Sequence, residues 1–161
     1  MITLKPTNHQ KAEASQVAKE MGTLKNSFMK GSRNYEGMLG EIVSLDYLKA
    51  VRQSCKDYDG ILKDGRLIDV KTKRTKVEPK SFYDCSISEF SLHQKCDTYL
   101  FTRYNYVTDD LYLLGYLNKD DFFSKSKKYN KGDIDTSNNM EFKSTTYNVA
   151  ISELKPIEDL L

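Results

Sequence analysis

The spacing of apolar residues changes along this chain, and each spacing predicts a different element. Over residues 35 to 52, YEGMLGEIVSLDYLKAVR, Met38, Ile42, Leu45 and Leu48 recur every three or four places, the period of a helix with one buried face. Residues 8 to 30 read as a second, weaker amphipathic helix, rich in Ala, Glu, Lys and Gln, with Gly22 and Gly31 as punctuation. From 58 to 73 two short apolar runs, GIL and LIDV, lie around a K-D-G turn and predict a β-hairpin. DTYLFTRYNY and LYLLGYL, either side of the turn VTDD, are aromatic and β-branched and read as strands. Between the hairpin and these strands, residues 74 to 92 are polar and irregular, with Pro79 as a breaker. Residues 124 to 146 read as a polar surface loop, YNVAI as a returning strand, and SELKPIEDLL as a short closing helix or turn. Helix, helix, hairpin, strands and tail in that order predict an α/β (α+β) fold with a central mixed sheet.

The hairpin has two readings, and they differ in which side chains share a face. A two-residue Asp64-Gly65 loop pairs Lys63 with Arg66 and Asp59 with Val70, which sends Asp59 and Asp69 to opposite faces. A three-residue loop, Lys63-Asp64-Gly65, places Gly65 in the left-handed region and pairs Leu62 with Arg66 and Asp59 with Asp69. Asp59, Asp69 and Lys71 then share one face, and Tyr58, Ile68 and Val70 take the other. The sequence permits both turns, but only the second assembles a site.

Glu41 bears on the same question. It lies three residues after Met38 and four before Leu45, inside the helix's apolar stripe. An ionised carboxylate there is costly unless it is paired or holds a metal. Glu36 and Asp46 escape to the polar side more easily. Taken alone, Glu41 reads as an edge residue that reaches water or a lysine. Taken with Asp59 and Asp69, it describes a site for a hard cation such as Mg²⁺, which takes oxygen ligands and keeps several waters. Such an ion polarises a phosphate oxygen and acidifies a bound water, and a lysine beside it can orient that water.

Composition sets the limits. With 161 residues, 39% hydrophobic and 30% charged, the chain fits one globular domain. Net charge is +2, so affinity for nucleic acid has to come from a local patch. Cys55, Cys85 and Cys96 are odd in number and form no CxxC pair, and His9 and His93 complete no zinc pattern. They read as reduced thiols of a cytoplasmic protein. No apolar run approaches the ~18 residues of a membrane span. MITLKPTNHQKAEA lacks the apolar core of a signal peptide.

Gly-Glu in a helix, then Asp, then Asp-x-Lys on a strand resembles the PD-(D/E)xK nuclease superfamily. The pieces are Glu41 in MLGEIV, Asp59 in DYDGI, and Asp69 with Lys71 in IDVKTK, and the resemblance covers roughly residues 35 to 120. Tyr58 stands where the family's name has proline, and the acid before x-Lys is Asp. The resemblance implies a restriction-endonuclease-like core, a mixed sheet flanked by helices. It implies that Glu41, Asp59 and Asp69 bind Mg²⁺ or Mn²⁺ and that Lys71 assists the attacking water. On this reading 1–161 is one nuclease domain, with a helical N-terminal region (1–34), a catalytic core (35–120) and the polar loop (124–146).

KTKRTKVEPK adds Lys73, Arg74, Lys76 and Lys80 against one acid, Glu78. Alternation puts Lys73 on the face of Lys71, and Lys73, Arg74 and Lys76 are the expected phosphate contacts. Charged residues on an edge strand also discourage aggregation, and both roles can hold. Gln94 in SLHQKCDTY reads first as a surface residue, although some family branches bring a glutamine to the site. His93 reads as structural. The expected function is metal-dependent phosphodiester hydrolysis, on DNA rather than RNA, with no organic cofactor and no membrane. The small size suggests limited sequence preference, a structure-directed target or a homodimer, and compact standalone chains of this type occur in phages, which would act in the host cytoplasm. The rival expectation is a binding or interaction module that keeps the fold without cleavage.

Overall fold

The computed structural model of the chain describes residues 1–22, 33–53, 55–136 and 138–161. Strand β1 (Ile2–Leu4) leads into helices α1 (Asn8–Gly22) and α2 (Arg33–Leu48). Four strands follow: β2 (Val51–Arg52), β3 (Gly60–Ile61), β4 (Leu67–Thr75) and β5 (Asp84–Ser88). β6 (Thr98–Asn105), β7 (Asp110–Asn118) and α3 (Lys119–Lys125) come next. β8 (Lys127–Tyr129), β9 (Ile134–Asp135), β10 (Met140–Glu141) and β11 (Thr146–Ala150) precede two 3-10 turns at the C-terminus. The fold is mixed α/β.

The main sheet has the order β1-β7-β6-β4-β3-β2. Only the β4–β6 pair is parallel, which is what makes the sheet mixed. Alternation along β4 and β6 divides two cores. Ile68, Val70, Leu100 and Tyr104 pack under α1 and α2 with Leu39, Ile42, Leu45 and Leu48. Tyr99 and Phe101 pack on the other face with Phe122 of α3, Cys85 and Ile87 of β5, and Val149 of β11. β5, β11 and β8 form a second, antiparallel sheet over that face.

Several sequence expectations change here. The second helix ends at Leu48, not at 52, because Lys49 takes a left-handed φ of 53° and the chain then runs extended as β2. The part of the first helix beyond residue 22 lies outside the described residues. Residues 84–88, expected to be irregular, form β5. The 124–146 stretch is not simply a loop. It holds β8, which pairs with β11, and the small β9–β10 hairpin, since polar backbone pairs as well as apolar backbone once a partner strand is near. Tyr58 packs with the Tyr99 cluster rather than with Ile68 and Val70, because it precedes β3 and is not bound by strand alternation.

Gly40 explains how closely α2 lies on the sheet. A β-carbon there would stand 2.0 Å from Thr72 Oγ1 and 2.9 Å from Thr72 Cβ. A glycine inside a helix costs about 1 kcal/mol relative to alanine, and the close approach to β4 is what it permits. Gly40→Ala is therefore expected to destabilise the fold by about 1–3 kcal/mol despite its better helix propensity. The loss is read as a lower midpoint in a urea titration.

Candidate active site

The hairpin turn is the three-residue one. Gly60 pairs with Ile68 and Ile61 with Leu67. The Leu62 amide donates to the Arg66 carbonyl at 2.9 Å, and the Gly65 amide to the Leu62 carbonyl at 2.9 Å. Gly65 has φ 89°, the left-handed region that residue types other than glycine rarely adopt. The Asp59 amide donates to the Ile68 carbonyl at 2.9 Å, so Asp59 lies opposite Asp69. β3 begins only at Gly60, opposite Ile68, so the ladder does not reach Val70. Asp59 Oδ2 accepts from the Val70 amide at 2.7 Å.

Asp69 is the only charged residue buried outright among the described residues, with its side chain 2% exposed. Gln94 Nε2 donates to Asp69 Oδ1 at 2.8 Å. The Lys71 ammonium stands 2.7 Å from Asp69 Oδ2. That contact is close in distance but poorly directed, so the buried oxygen has charge compensation without a directed hydrogen bond. Lys71 Nζ also donates to Gln94 Oε1 at 3.2 Å. Gln94 thus bridges both members of the Asp-x-Lys pair and corrects the expectation of a surface residue. The Lys119 ammonium, at the start of α3, donates to the Leu92 carbonyl at 3.1 Å and to the Gln94 carbonyl, fixing the segment that carries Gln94.

The sequence alone did not place Gln94. It lies just ahead of β6, and β6, as a parallel neighbour of β4, begins at the same edge of the sheet as β4 itself. The Asp97 amide donates to the Leu67 carbonyl at 2.8 Å, which joins the two strand starts.

The three carboxylates are crowded. Burial pushes Glu41 up from 4.5 to about 8, and the charges of Asp59 and Asp69 add to it, with Arg52 opposing. Burial and the charge of Asp69 push Asp59 up to about 7, against the Val70 amide and Lys71. Asp69 is also raised by burial, opposed by Lys71, Gln94 and Lys119. Glu41 and Asp59 line one large open groove between α1, α2 and β2, whose apolar wall includes Met38 and Ile42.

A hard cation fits this donor set in kind. The donors are carboxylate oxygens, they are partly desolvated, and their mutual repulsion is only partly compensated. As placed, no three His, Cys, Asp or Glu side chains among the described residues surround one point. Asp59 is turned to the Val70 amide, and Asp69 to Gln94 and Lys71. Sharing one ion among them requires these side chains to draw closer together than they stand.

The expected phosphate contacts separate. Lys73 follows Lys71 on the same face, but its ammonium is tucked against β5, donating to the Asp84 carbonyl at 3.1 Å and Ser86 Oγ at 2.6 Å. The residue as a whole is exposed. Its desolvated head, next to Arg103, has a lowered pKa. Arg74 points to the α2 side, 3.5 Å from Glu36 and 3.8 Å over the Tyr106 ring. Lys76 is exposed beyond the end of β4.

No family model matches the chain, and no curated protein matches it. Among the described residues no helix is long and apolar enough to cross a membrane.

Proposed function

We propose that the chain is a metal-dependent nuclease with a restriction-endonuclease-like core, acting on DNA, and that Glu41, Asp59, Asp69 and Lys71 are its working groups. The observation that carries this reading is the buried Asp69 joined to Lys71 at 2.7 Å, on a strand whose partner presents Asp59 directly opposite. A purely structural hairpin gains nothing from burying a carboxylate amid other carboxylates, since each raises the cost of ionising the next.

Glu41, Asp59 and Asp69 would hold Mg²⁺ or Mn²⁺. The ion, when bound, supplies Lewis acidity toward a phosphate oxygen and toward water. Lys71 orients water by its ammonium hydrogens and places positive charge where the phosphate gains negative charge. Gln94 keeps Lys71 and Asp69 in register with each other. It is a positioning residue. Gln94→Ala is expected to slow single-turnover cleavage about 10–100-fold, with DNA affinity measured in Ca²⁺ nearly unchanged. A loss of affinity equal to the loss of rate would make Gln94 a DNA contact instead.

The reading is tested with purified protein on supercoiled, linear, single-stranded and branched DNA, and on RNA, with and without Mg²⁺. Mg²⁺-dependent cutting of at least one DNA form is expected. Binding to these substrates with no cutting under any divalent ion would favour a nucleic-acid-binding module on the same fold.

A further inference from the structure

A cavity of about 160 Å³ lies between β4 and β6 of the main sheet and β5 of the second sheet. It borders the face of Lys71 but extends away from the carboxylates. Lys71, Lys73 and Arg103 line it, with Phe101 and Leu114 as apolar wall. Lys73 and Arg103 are direct register partners across the parallel β4–β6 ladder. Like charges placed side by side repel, so this pairing needs a reason.

The groups that hold these cations are neutral. Lys73 binds the Asp84 carbonyl and the Ser86 hydroxyl, and Arg103 Nη2 donates to the Asp84 carbonyl at 2.9 Å. Arg103 Nε is buried without a hydrogen-bond partner. The Tyr83 ring stacks 5.1 Å from the guanidinium and leaves that N–H unanswered. The charges of Asp84 and Asp135 offset part of that of Lys73. Asp84 Oδ2 accepts from Asn148 Nδ2 at 3.1 Å. A water needs only about 10–15 Å³ of such volume, so the cavity has room for a tetrahedral oxyanion and waters.

We propose that this cavity is a phosphate subsite, in which Lys73 and Arg103 bind a phosphate of the strand next to the scissile one. The identity of the strand rests on the nuclease reading; the affinity for phosphate does not. Arginine offers a planar fork suited to an oxyanion, and Arg103 lines the cavity beside Lys73. The Ser86 hydroxyl can turn its hydrogen to the same oxygen. Lys71 at the cavity's rim ties the subsite to the site of reaction, so a phosphate seated here would set which bond reaches Asp69 and Lys71.

The test uses the full chain and inorganic phosphate at constant ionic strength, read by thermal shift and ³¹P line broadening. Wild type is expected to show a saturable response. Arg103→Gln and, independently, Lys73→Gln should weaken it about tenfold or more, the loss of one charge-assisted bond. Asp69→Asn should keep it while losing cleavage. No saturable response in wild type, or an equal response in wild type and both cation variants, overturns the subsite. Oligonucleotides with and without a 5′-phosphate distinguish the source. A terminal phosphate would strengthen binding by wild type only when present, whereas an internal one would make Arg103→Gln weaken both oligonucleotides alike. Phosphate binding without cleavage of any substrate leaves the subsite standing and removes the nuclease reading alone.

Discussion

Replacing Lys71 with alanine is expected to slow single-turnover DNA cleavage by about a hundredfold or more, while affinity for DNA changes by only about threefold. The ammonium stands against Asp69 and Gln94 at the rim of the site, where it can meet both water and phosphate. Of the basic residues that follow it on β4, Lys73 is drawn to β5 and Arg74 to the far face. Lys119 is held by the backbone carbonyls of Leu92 and Gln94. Affinity is spread over many phosphate contacts, so losing one lysine removes a small part of it. The measurement is cleavage at saturating enzyme, paired with a binding titration in Ca²⁺. Circular dichroism guards against a folding defect, because the variant leaves Asp69 buried without its cation. A folded Lys71→Ala variant that cuts as fast as wild type would remove Lys71 from the chemistry.

The second large effect is on stability. Without a divalent ion, the protein should lose stability as pH rises from about 5 to about 8. Glu41 is pushed from 4.5 to about 8 and Asp59 from 3.8 to about 7. In that window the folded chain keeps protons that the unfolded chain releases, so the stabilisation is present at low pH and lost through the folded pKa values. Each retained proton gives a slope of about 1.4 kcal/mol per pH unit. Over the window the two groups together cost roughly 6–7 kcal/mol, which for a chain of this size is a fall in Tm of roughly 20 °C. Glu41→Gln removes one ionisable group and should flatten the slope and raise Tm at pH 8. Mn²⁺ at pH 8 should raise wild-type Tm, because an ion that binds only the folded state stabilises it. Asp69→Asn should lose most of that rise. A Tm that is level from pH 5 to 8 in wild type would mean that the carboxylates are neither desolvated nor crowded.

The hairpin was legible from sequence because turn chemistry and alternation point the same way. A K-D-G loop with Gly65 at positive φ left two registers open, and only the three-residue one brought Asp59 and Asp69 to one face; the Leu62–Arg66 hydrogen bond shows that it is the one adopted. Glu41 was legible from its place in the helical stripe, and Gly40 beside it from the close contact with Thr72 only after the strand was placed. β5 escaped notice because its sequence, DCSIS, carries just two buried residues, Cys85 and Ile87. Missing β5 hid what captures Lys73 and what closes the cavity over Arg103. Gln94 was ambiguous because its contacts to Asp69 and Lys71 cross more than twenty residues, from a segment with no periodicity of its own. Its position depends on Lys119 and on where β6 begins, which are tertiary facts.

The most direct measurement is plasmid cleavage by wild type and Asp69→Asn, purified in parallel and assayed with Mg²⁺ and with chelator. The account predicts cutting by wild type that needs the ion, and no cutting by the variant, which still folds and still binds DNA. Equal cutting by both proteins, or none by wild type on any DNA form with Mg²⁺ or Mn²⁺, would contradict it.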